Sequence, residues 1–430
     1  MNKNKINFKL EDHKHLFLKD NQINIEAEPF GNGIYYSAQE LASIYNVPKP
    51  TCHKVNIAVI AIKGGFDIQD AIINWTSVSN IPVENQAQVN TILLDGETGD
   101  IGVDITLDLI NATSVQMIGG VAPSSKTTIN LYITGGTIDG IVRAIKLAIK
   151  DCNSVILYPY PNLFYIGSLF FFITPQPVDE TEYTKSDREK LDKAFKKCVK
   201  KGITVCVPSG DLGAPNGIFD GETHVQFPAS SPYVLTCGGT VLLNNGNFYT
   251  NLTIENNWSY QLDPQLFLNL GAGGGVSKIY KEPKYQKKVI EIDHVDNIND
   301  NTYNNDIVKK GRVLPDVASC GSLNTAGPAS GIIVTYQFQK AFIGSTFVSA
   351  AFFAGFIAAI NFKDFIVPYL YKIYENKEKR EQAFHDITIG YNGAYKCEKG
   401  FDLCTGMGSI NGVKIKKYLS EIKSKDIIKY

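Results

Sequence analysis

The stretch Ile343-Gly344-Ser345-Thr346-Phe347-Val348-Ser349-Ala350-Ala351 is the point around which the rest of the chain is arranged. It joins a glycine-containing turn to an apolar helical pattern that ends near Asn361. The free N–H groups and the dipole at such a helix N-terminus favour negative charge on a nucleophile or a substrate. The residue that occupies the first turn of this helix, Phe347, therefore decides what chemistry the turn can support.

Upstream of this turn, apolar runs with the length of buried strands alternate with helical patterns. The runs Val55–Ile62 and Thr127–Thr134 are rich in apolar and β-branched residues, and Ile138–Lys150 repeats apolar residues at the spacing of one helical face. The alternation continues to Ile203–Pro208. It predicts an α/β fold with a doubly wound, largely parallel sheet flanked by helices. Functional groups then belong at the carboxyl ends of the strands.

Two segments differ from this pattern in composition. Residues 1–30 are polar and lack clear periodicity, so we expect an N-terminal extension before a single domain over 31–430. Residues 283–311 are rich in Asn and Asp and low in hydrophobicity, which predicts a long surface loop.

The charge balance and the N-terminus limit the environments that fit the chain. Lys and Arg number 42 against 43 Asp and Glu, so we expect neither a nucleic-acid nor a membrane partner. The first ten residues lack the apolar run of a signal peptide. We therefore expect an unsecreted protein, in the cytoplasm or within an intracellular particle, whose eight scattered cysteines are thiols.

Four separated motifs follow one another in the second half of the chain. They are Phe227–Thr240 (FPASSPYVLTCGGT), Gly273–Lys278 (GGGVSK), Gly311–Ala318 (GRVLPDVA), and Phe384–Thr388 (FHDIT) together with Gly400–Gly408 (GFDLCTGMG). In this order they resemble the sedolisin family of serine-carboxyl peptidases, and the similarity extends from about Gly33 to the C-terminus. The resemblance implies a subtilisin-like α/β fold.

The resemblance also implies where catalytic residues should lie. The family uses a Glu and an Asp four residues apart on one helix, and the matching positions are Asp100 and Asp104. We expect both on the helix predicted from Asp100 to Ala112, where this spacing places them on one face. Because Asp is one methylene shorter than Glu, the first carboxylate is withdrawn by about 1.5 Å.

The family's serine nucleophile falls on Phe347, whose phenyl ring has no proton to lose and no lone pair with which to attack. Ser345 and Ser349 each lie two residues away, a helical rotation of about 200°, so neither is expected to face the carboxylates. The family's further Asp, which helps to form the oxyanion hole, falls on Asp211. Asp211 is equally compatible with a turn or helix-cap residue.

Two more differences concern the substrate and the N-terminus. The family holds its substrate as an added strand along a segment that here reads Pro159-Tyr160-Pro161. Proline has no N–H, so strand addition at this edge is impaired. Active family members also carry a large N-terminal prosegment, and the thirty residues before the domain predict that none is present.

The resemblance implies a calcium site near the C-terminus. Its ligands would be the side chains of Asp386 and Asp402 and the backbone carbonyls of Ile387, Glu398 and Gly400. Oxygen donors of these kinds suit Ca²⁺. The alternative is a hydrogen-bonded loop in which the two carboxylates only cap turns.

Three interpretations of the whole chain remain open. The first is a non-catalytic pseudo-peptidase with a structural or binding role, based on Phe347, Asp100 and the two prolines. The second is an active serine-carboxyl endopeptidase whose nucleophile has moved to Ser345 or Ser349. The third, which overlaps the first, is a component of an assembly formed with an unknown protein partner or with further copies of the chain.

Overall fold

The computed structural model describes residues 34–51, 53–160, 179–218, 220–243, 254–257, 259–263, 268–292, 311–321, 330–423 and 427. The predicted extension over residues 1–30 and Pro161 of the proposed substrate edge lie outside this part of the chain.

Strands and helices alternate through the first half of the described chain. The strands are β1 (Ile34–Tyr36), β2 (Val55–Ile62), β3 (Gln88–Leu93), β4 (Thr127–Thr134), β5 (Val155–Leu157), β6 (Thr204–Pro208), β7 (Leu235–Leu243), β8 (Ile254–Asn257), β9 (Ser259–Asp263), β10 (Leu268–Gly271), β11 (Gly275–Lys281), β12 (Gly311–Leu314), β13 (Val317–Cys320), β14 (Ser330–Tyr336), β15 (Gln339–Ile343), β16 (Phe384–His385) and β17 (Ser409–Ile410). The α-helices are α1 (Ala38–Ile44), α2 (Ile68–Ile73), α3 (Ile105–Val121), α4 (Ile138–Lys150), α5 (Lys185–Lys200), α6 (Lys284–Ile292), α7 (Thr346–Ile360), α8 (Val367–Tyr374), α9 (Lys377–Ala383) and α10 (Gly412–Glu421).

The main sheet has the strand order β13-β7-β6-β5-β2-β4-β3, and β8 pairs with β7. All neighbours in the seven-strand order are parallel, whereas β8 is antiparallel to β7. The predicted doubly wound α/β sheet is therefore confirmed. A smaller sheet of β1, β14 and β15 lies before the turn at Ser345.

Two apolar cores lie on opposite faces of the main sheet. Along the central strand β2, Ile57 and Val59 pack into one core with α3 and α7, while Ala58 and Ile60 pack into the other with α4 and α5. A strand buried on both faces reads as a continuous apolar run, as β2 does. Among the described residues, no helix combines the length and apolar character needed to cross a membrane.

The sequence prediction was wrong for part of the loop predicted over residues 283–311. Residues 284–292 form helix α6, and 293–310 lie outside the described residues. Tyr285 and Val289, four residues apart on α6, are buried in the core that contains α3 and α7. Two apolar positions among many polar ones were too weak a pattern to predict this helix.

Candidate active site

The turn before α7 is held by the carboxylate of Asp211. Ser345 is the N-cap residue, and its hydroxyl accepts a hydrogen bond from Phe347 N at 3.2 Å and donates one to Asp211 Oδ2 at 2.6 Å. Thr346 donates to Asp211 Oδ1 from its backbone N–H and its hydroxyl, each at 2.8 Å. Burial raises the pKa of Asp211, and these hydrogen bonds oppose that rise. Asp211 thus holds the N-terminus of α7 through three hydrogen bonds.

Phe347 lies in the first turn of α7 and is 6% exposed. Its ring belongs to the apolar core that contains α3 and α7. The residue that the resemblance matches to the nucleophile of the family is therefore a packed aromatic side chain.

The two serines considered as substitutes differ in their surroundings. Ser349 is buried, and its hydroxyl accepts a hydrogen bond from Ser319 at 2.8 Å inside the core. Ser345 was expected not to face the carboxylates of Asp100 and Asp104, and that stays a prediction. The rotation of about 200° between Ser345 and Phe347 applies only if both residues are helical. Ser345 instead caps the helix with extended backbone, and its hydroxyl contacts Asp211 directly.

The placement of Asp100 and Asp104 on one helix was also wrong. Helix α3 begins only at Ile105, and Asp104 is its N-cap, accepting from Thr106 N at 3.1 Å and Leu107 N at 3.2 Å. Asp100 lies four residues earlier in the preceding turn, where it accepts a hydrogen bond from the Thr98 hydroxyl at 2.6 Å. Gly102, with a φ of +86°, separates the two in a conformation that interrupts a right-handed helix.

A third acid, Asp108, is buried in the first turns of α3. It accepts hydrogen bonds from Gly65 N, from Gly102 N at 2.7 Å and from the Tyr336 hydroxyl at 2.9 Å. Through its two carboxyl oxygens, Asp108 links the start of α3 to the segment after β2 and to β14. Sequence reasoning missed this role because all but one of the donors are distant in the chain.

Helices α3 and α7 pack against each other in the same apolar core. Both helices begin at the carboxyl edge of the parallel sheet, α3 beside Gly65 after β2 and α7 beside Gly210 after β6. Farther along, a Cβ added at Gly355 would lie 2.8 Å from the Val121 side chain and 3.3 Å from Ile118 O.

The part of α3 that follows Asp108 and Leu109 runs through residues 110 to 114. That stretch reads Ile110-Asn111-Ala112-Thr113-Ser114 and contains no carboxylate. The Ser114 hydroxyl donates to Ile110 O at 2.7 Å, within the helix itself.

The exit of β5 approaches the same part of α3. The Tyr160 hydroxyl donates to Asn111 Oδ1 and accepts from Ile62 N, each at 3.2 Å. Burial raises the pKa of Tyr160. Pro159 is buried beside it, directly after the end of the strand. Tyr160 and Asn111 were not singled out from the sequence, because the atoms that meet are 49 residues apart.

A buried histidine fixes the loop that follows Asp211. His224 N donates to Ala214 O at 2.8 Å, and the two ring nitrogens of His224 face the carboxylates of Asp179 and Asp220. Burial alone would lower the pKa of His224, but these two partners outweigh it and raise the pKa. The two carboxylates thus favour the protonated imidazole and hold its ring in a structural position.

The loop implied as a calcium site brings both of its carboxylates to one backbone segment. Asp386 Oδ2 accepts from Gly400 N at 3.0 Å, and Asp402 Oδ2 accepts from Glu398 N at 3.2 Å. Burial raises the pKa of Asp402 to about 7, an effect that a bound cation would oppose. Carboxylate and carbonyl oxygens are the ligands that calcium prefers, and the resemblance implies the carbonyl groups of Ile387, Glu398 and Gly400 as partners of these two carboxylates.

Soft ligands lie beside this loop as well. The thiols of Cys397 and Cys404 and the carboxylate of Asp402 are buried, with their ligand atoms within 4.8 Å of one another. Both cysteines are free thiols, as expected from the sequence.

Comparison with known proteins gives relatives but no match to a family model. The chain is 29% identical over 397 residues to kumamolisin of Bacillus sp. (strain MN-32), covering 88% of this chain and 63% of that protein. It is 30% identical over 404 residues to sedolisin of Pseudomonas sp. (strain 101), covering 89% and 61% respectively. The chain therefore spans less than two thirds of the length of these relatives.

One solved structure supports the fold. It is Pseudomonas sedolisin, a serine-carboxyl proteinase complexed with two molecules of pseudo-iodotyrostatin. The TM-score is 0.70 at 23% identity, and the match covers 91% of this chain and 99% of the other. The predicted subtilisin-like architecture agrees with this similarity.

Proposed function

Because this chain is a sedolisin homologue with a sedolisin-type fold, we propose that it is a non-catalytic pseudo-peptidase that serves as a structural or binding protein. The observation that carries the proposal is the packed ring of Phe347 at the start of α7. A phenyl ring cannot attack a carbonyl group, so no acyl-enzyme forms at this position.

The residues of α3 support the same proposal. A serine nucleophile needs a base within hydrogen-bond reach, at about 2.6–3.2 Å. The carboxylates at the start of α3 are engaged by backbone N–H groups: Asp104 accepts from Thr106 N and Leu107 N, and Asp108 accepts from Gly65 N and Gly102 N. We therefore propose that Asp100 and Asp104, the positions that match the acid pair of the family, serve the entry to α3 rather than proton transfer.

The buried exit of β5 also disfavours peptide binding. Pro159 cannot donate a backbone hydrogen bond to an added strand. The neighbouring Tyr160 has its hydroxyl engaged by Asn111 and Ile62 N. A peptide laid along this segment would lose donors that an extended substrate requires.

One observation favours a second candidate, an active peptidase with Ser345 as its nucleophile. The Ser345 hydroxyl lies 2.6 Å from Asp211 Oδ2, a distance at which a carboxylate could accept its proton. Against this candidate, Ser345 is buried and its oxygen already accepts a hydrogen bond from Phe347 N as the cap of α7.

We predict that the purified full chain hydrolyses neither casein nor a fluorogenic peptide library between pH 3 and pH 8. A serine-directed fluorophosphonate should label no residue in mass spectra of the digested protein. The variants Ser345→Ala and Asp211→Asn separate the candidates, with Ser349→Ala as the matched control at a core serine. Hydrolysis that is lost in the first two variants and kept in the control would establish the second candidate. Hydrolysis that is equal in all variants comes from a contaminant.

Calcium would have a structural role in this protein. We expect Ca²⁺ at one hundred times its Kd to stabilise the fold by about 2.7 kcal/mol, because the ion binds only the folded loop. The Tm with calcium and with EGTA, together with titration calorimetry, measures this. Asp386→Asn should remove the effect, while Cys404→Ser should keep it. A response to Zn²⁺ that depends on Cys404 and not on Asp386 would instead assign the loop to a thiolate-bound metal.

A further inference from the structure

Strand β3 lies at one end of the main sheet. Its partner on one side is β4, paired in parallel from Gln88 with Thr128 to Leu93 with Ile133 without interruption. Among the strands that the structure describes, none pairs with the other side of β3. One row of its backbone groups is therefore open to an added strand.

The groups that point outward can be identified from one hydrogen bond. Leu94 N donates to Ile133 O of β4 at 2.8 Å. Because the backbone groups of successive strand residues point to opposite sides, Val89, Thr91 and Leu93 direct their N–H and C=O groups away from β4. Thr91 is exposed, and the Leu93 side chain is 47% exposed.

This edge lacks the devices that usually protect an edge strand. Natural edges carry Lys, Pro, a bulge or an inward-pointing charge that prevents pairing with another chain. From Gln86 to Leu94 the sequence has no charged residue and no proline, and its register with β4 contains no bulge. An edge without these devices is one at which a strand of another chain can pair.

We propose that this edge binds a second copy of the same chain, through antiparallel pairing of two β3 strands about a two-fold axis at Thr91. In this register Thr91 faces Thr91 of the second copy, and Val89 faces Leu93. The three outward residues of each strand would form about six intermolecular hydrogen bonds. The Val89–Leu93 pairs would bring together apolar side chains that are partly or largely exposed in the single chain.

Charge supports a copy of this chain as the occupant. The first charged residue beyond the strand, Asp95, falls opposite the uncharged Ala87 in this register. Asp95 is itself paired with Arg143 of the same chain. The two-fold arrangement therefore places no like charges opposite each other along the paired segment. The inference rests on the binding role proposed above, for which it names the partner, and does not depend on the loss of catalysis.

Sedimentation velocity of the full chain between 1 and 100 µM tests this pairing. We expect a concentration-dependent dimer. Thr91→Lys should weaken dimerisation at least tenfold, because two lysines then face each other across the axis. Thr91→Glu should act in the same way, and an equimolar mixture of the two variants should restore the dimer. Val413→Lys adds the same charge at a distant exposed position on α10 and should leave the dimer unchanged.

Several outcomes would overturn the proposal. They are a monomer up to 100 µM, a dimer that survives both Thr91 substitutions, and a mixture that fails to recombine. Circular dichroism and Tm of both variants check that the fold is intact, since Thr91 is exposed in the single chain. A monomer without peptidase activity would leave the non-catalytic function standing, whereas a dimer that hydrolyses peptides would refute that function and keep the pairing.

Discussion

Arg312→Ala is expected to lower the free energy of unfolding by about 3–5 kcal/mol, because it leaves the carboxylate of Asp316 charged and unpaired inside the protein. Both side chains are fully buried. Arg312 Nη2 donates to Asp316 Oδ2 at 2.8 Å, Nη1 to Oδ1 at 3.1 Å, and Nε to Ser231 O at 3.0 Å. Asp316 also accepts from Thr236 N and from the Tyr371 hydroxyl. Denaturant unfolding followed by circular dichroism measures the loss.

An exposed arginine provides the matched control. Arg143 pairs with Asp95, but its side chain is 57% exposed, so Arg143→Ala should cost at most about 1 kcal/mol. The double variant Arg312→Leu/Asp316→Leu should be more stable than Arg312→Ala alone, because it removes both buried charges. Equal losses for Arg312→Ala and Arg143→Ala would show that the buried pair is not needed for stability.

The buried pair lies within one of the motifs that carried the resemblance. The segment Gly311–Ala318 contains β12, the start of β13 and both members of the ion pair. Its contacts reach β7 through Thr236 and α8 through Tyr371. Four elements therefore depend on the geometry of this short motif.

The parts of the fold that could be predicted are those where local pattern and tertiary environment agree. Strands β2 and β4 and helix α4 have the predicted bounds. Each strand is an apolar run buried on both faces, and α4 has one apolar stripe that packs on the sheet. The short length and β-branched residues of the two strands, and the 3.6-residue period of α4, leave little ambiguity.

Helix α3 shows where local pattern failed. The prediction ended at Ala112, but the helix continues through Gly119 and Gly120 to Val121. Glycine disfavours a helix interior by about 1 kcal/mol relative to alanine. Here each glycine is required by packing: a Cβ at Gly119 would lie 2.2 Å from the ring of Trp75, and one at Gly120 would lie 2.3 Å from the Ala38 side chain. These contacts are distant in sequence, so no local rule could supply them.

The candidate site was predictable in its position but not in its contacts. The location of the turn before α7 followed from the sequence pattern, whereas the bond between Ser345 and Asp211 joins residues 134 apart. Without that contact, Ser345 was treated as a helical residue rather than as the cap of α7. The helix predicted from Asp100 began too early because Asp100, Asp104 and Asp108 share a four-residue spacing, whereas the turn at Gly102 separates Asp100 from α3.

Phe347→Ser is expected to lower the free energy of unfolding by about 3–5 kcal/mol, the range found when a buried phenylalanine is truncated. The ring is 6% exposed and belongs to the core beneath α7. Phe347→Leu is the matched control, since it keeps an apolar side chain and should cost less than about 1.5 kcal/mol. Thermal and denaturant unfolding of the two variants measure the difference. Equal stability of Phe347→Ser and the unaltered chain would mean that the ring is not part of the core.

The same variant tests whether the lost nucleophile alone accounts for the lost chemistry. Phe347→Ser should hydrolyse no peptide and accept no fluorophosphonate at position 347, because the carboxylates of Asp104 and Asp108 at the start of α3 are engaged by backbone N–H groups. Asp211 is occupied by Ser345 and Thr346 and stays with the helix N-terminus. A label on the introduced serine that disappears in Phe347→Ser/Asp211→Asn would show that Asp211 can act as a base. In that event a single substitution separates this chain from a reactive serine, and the scaffold interpretation would have to be abandoned.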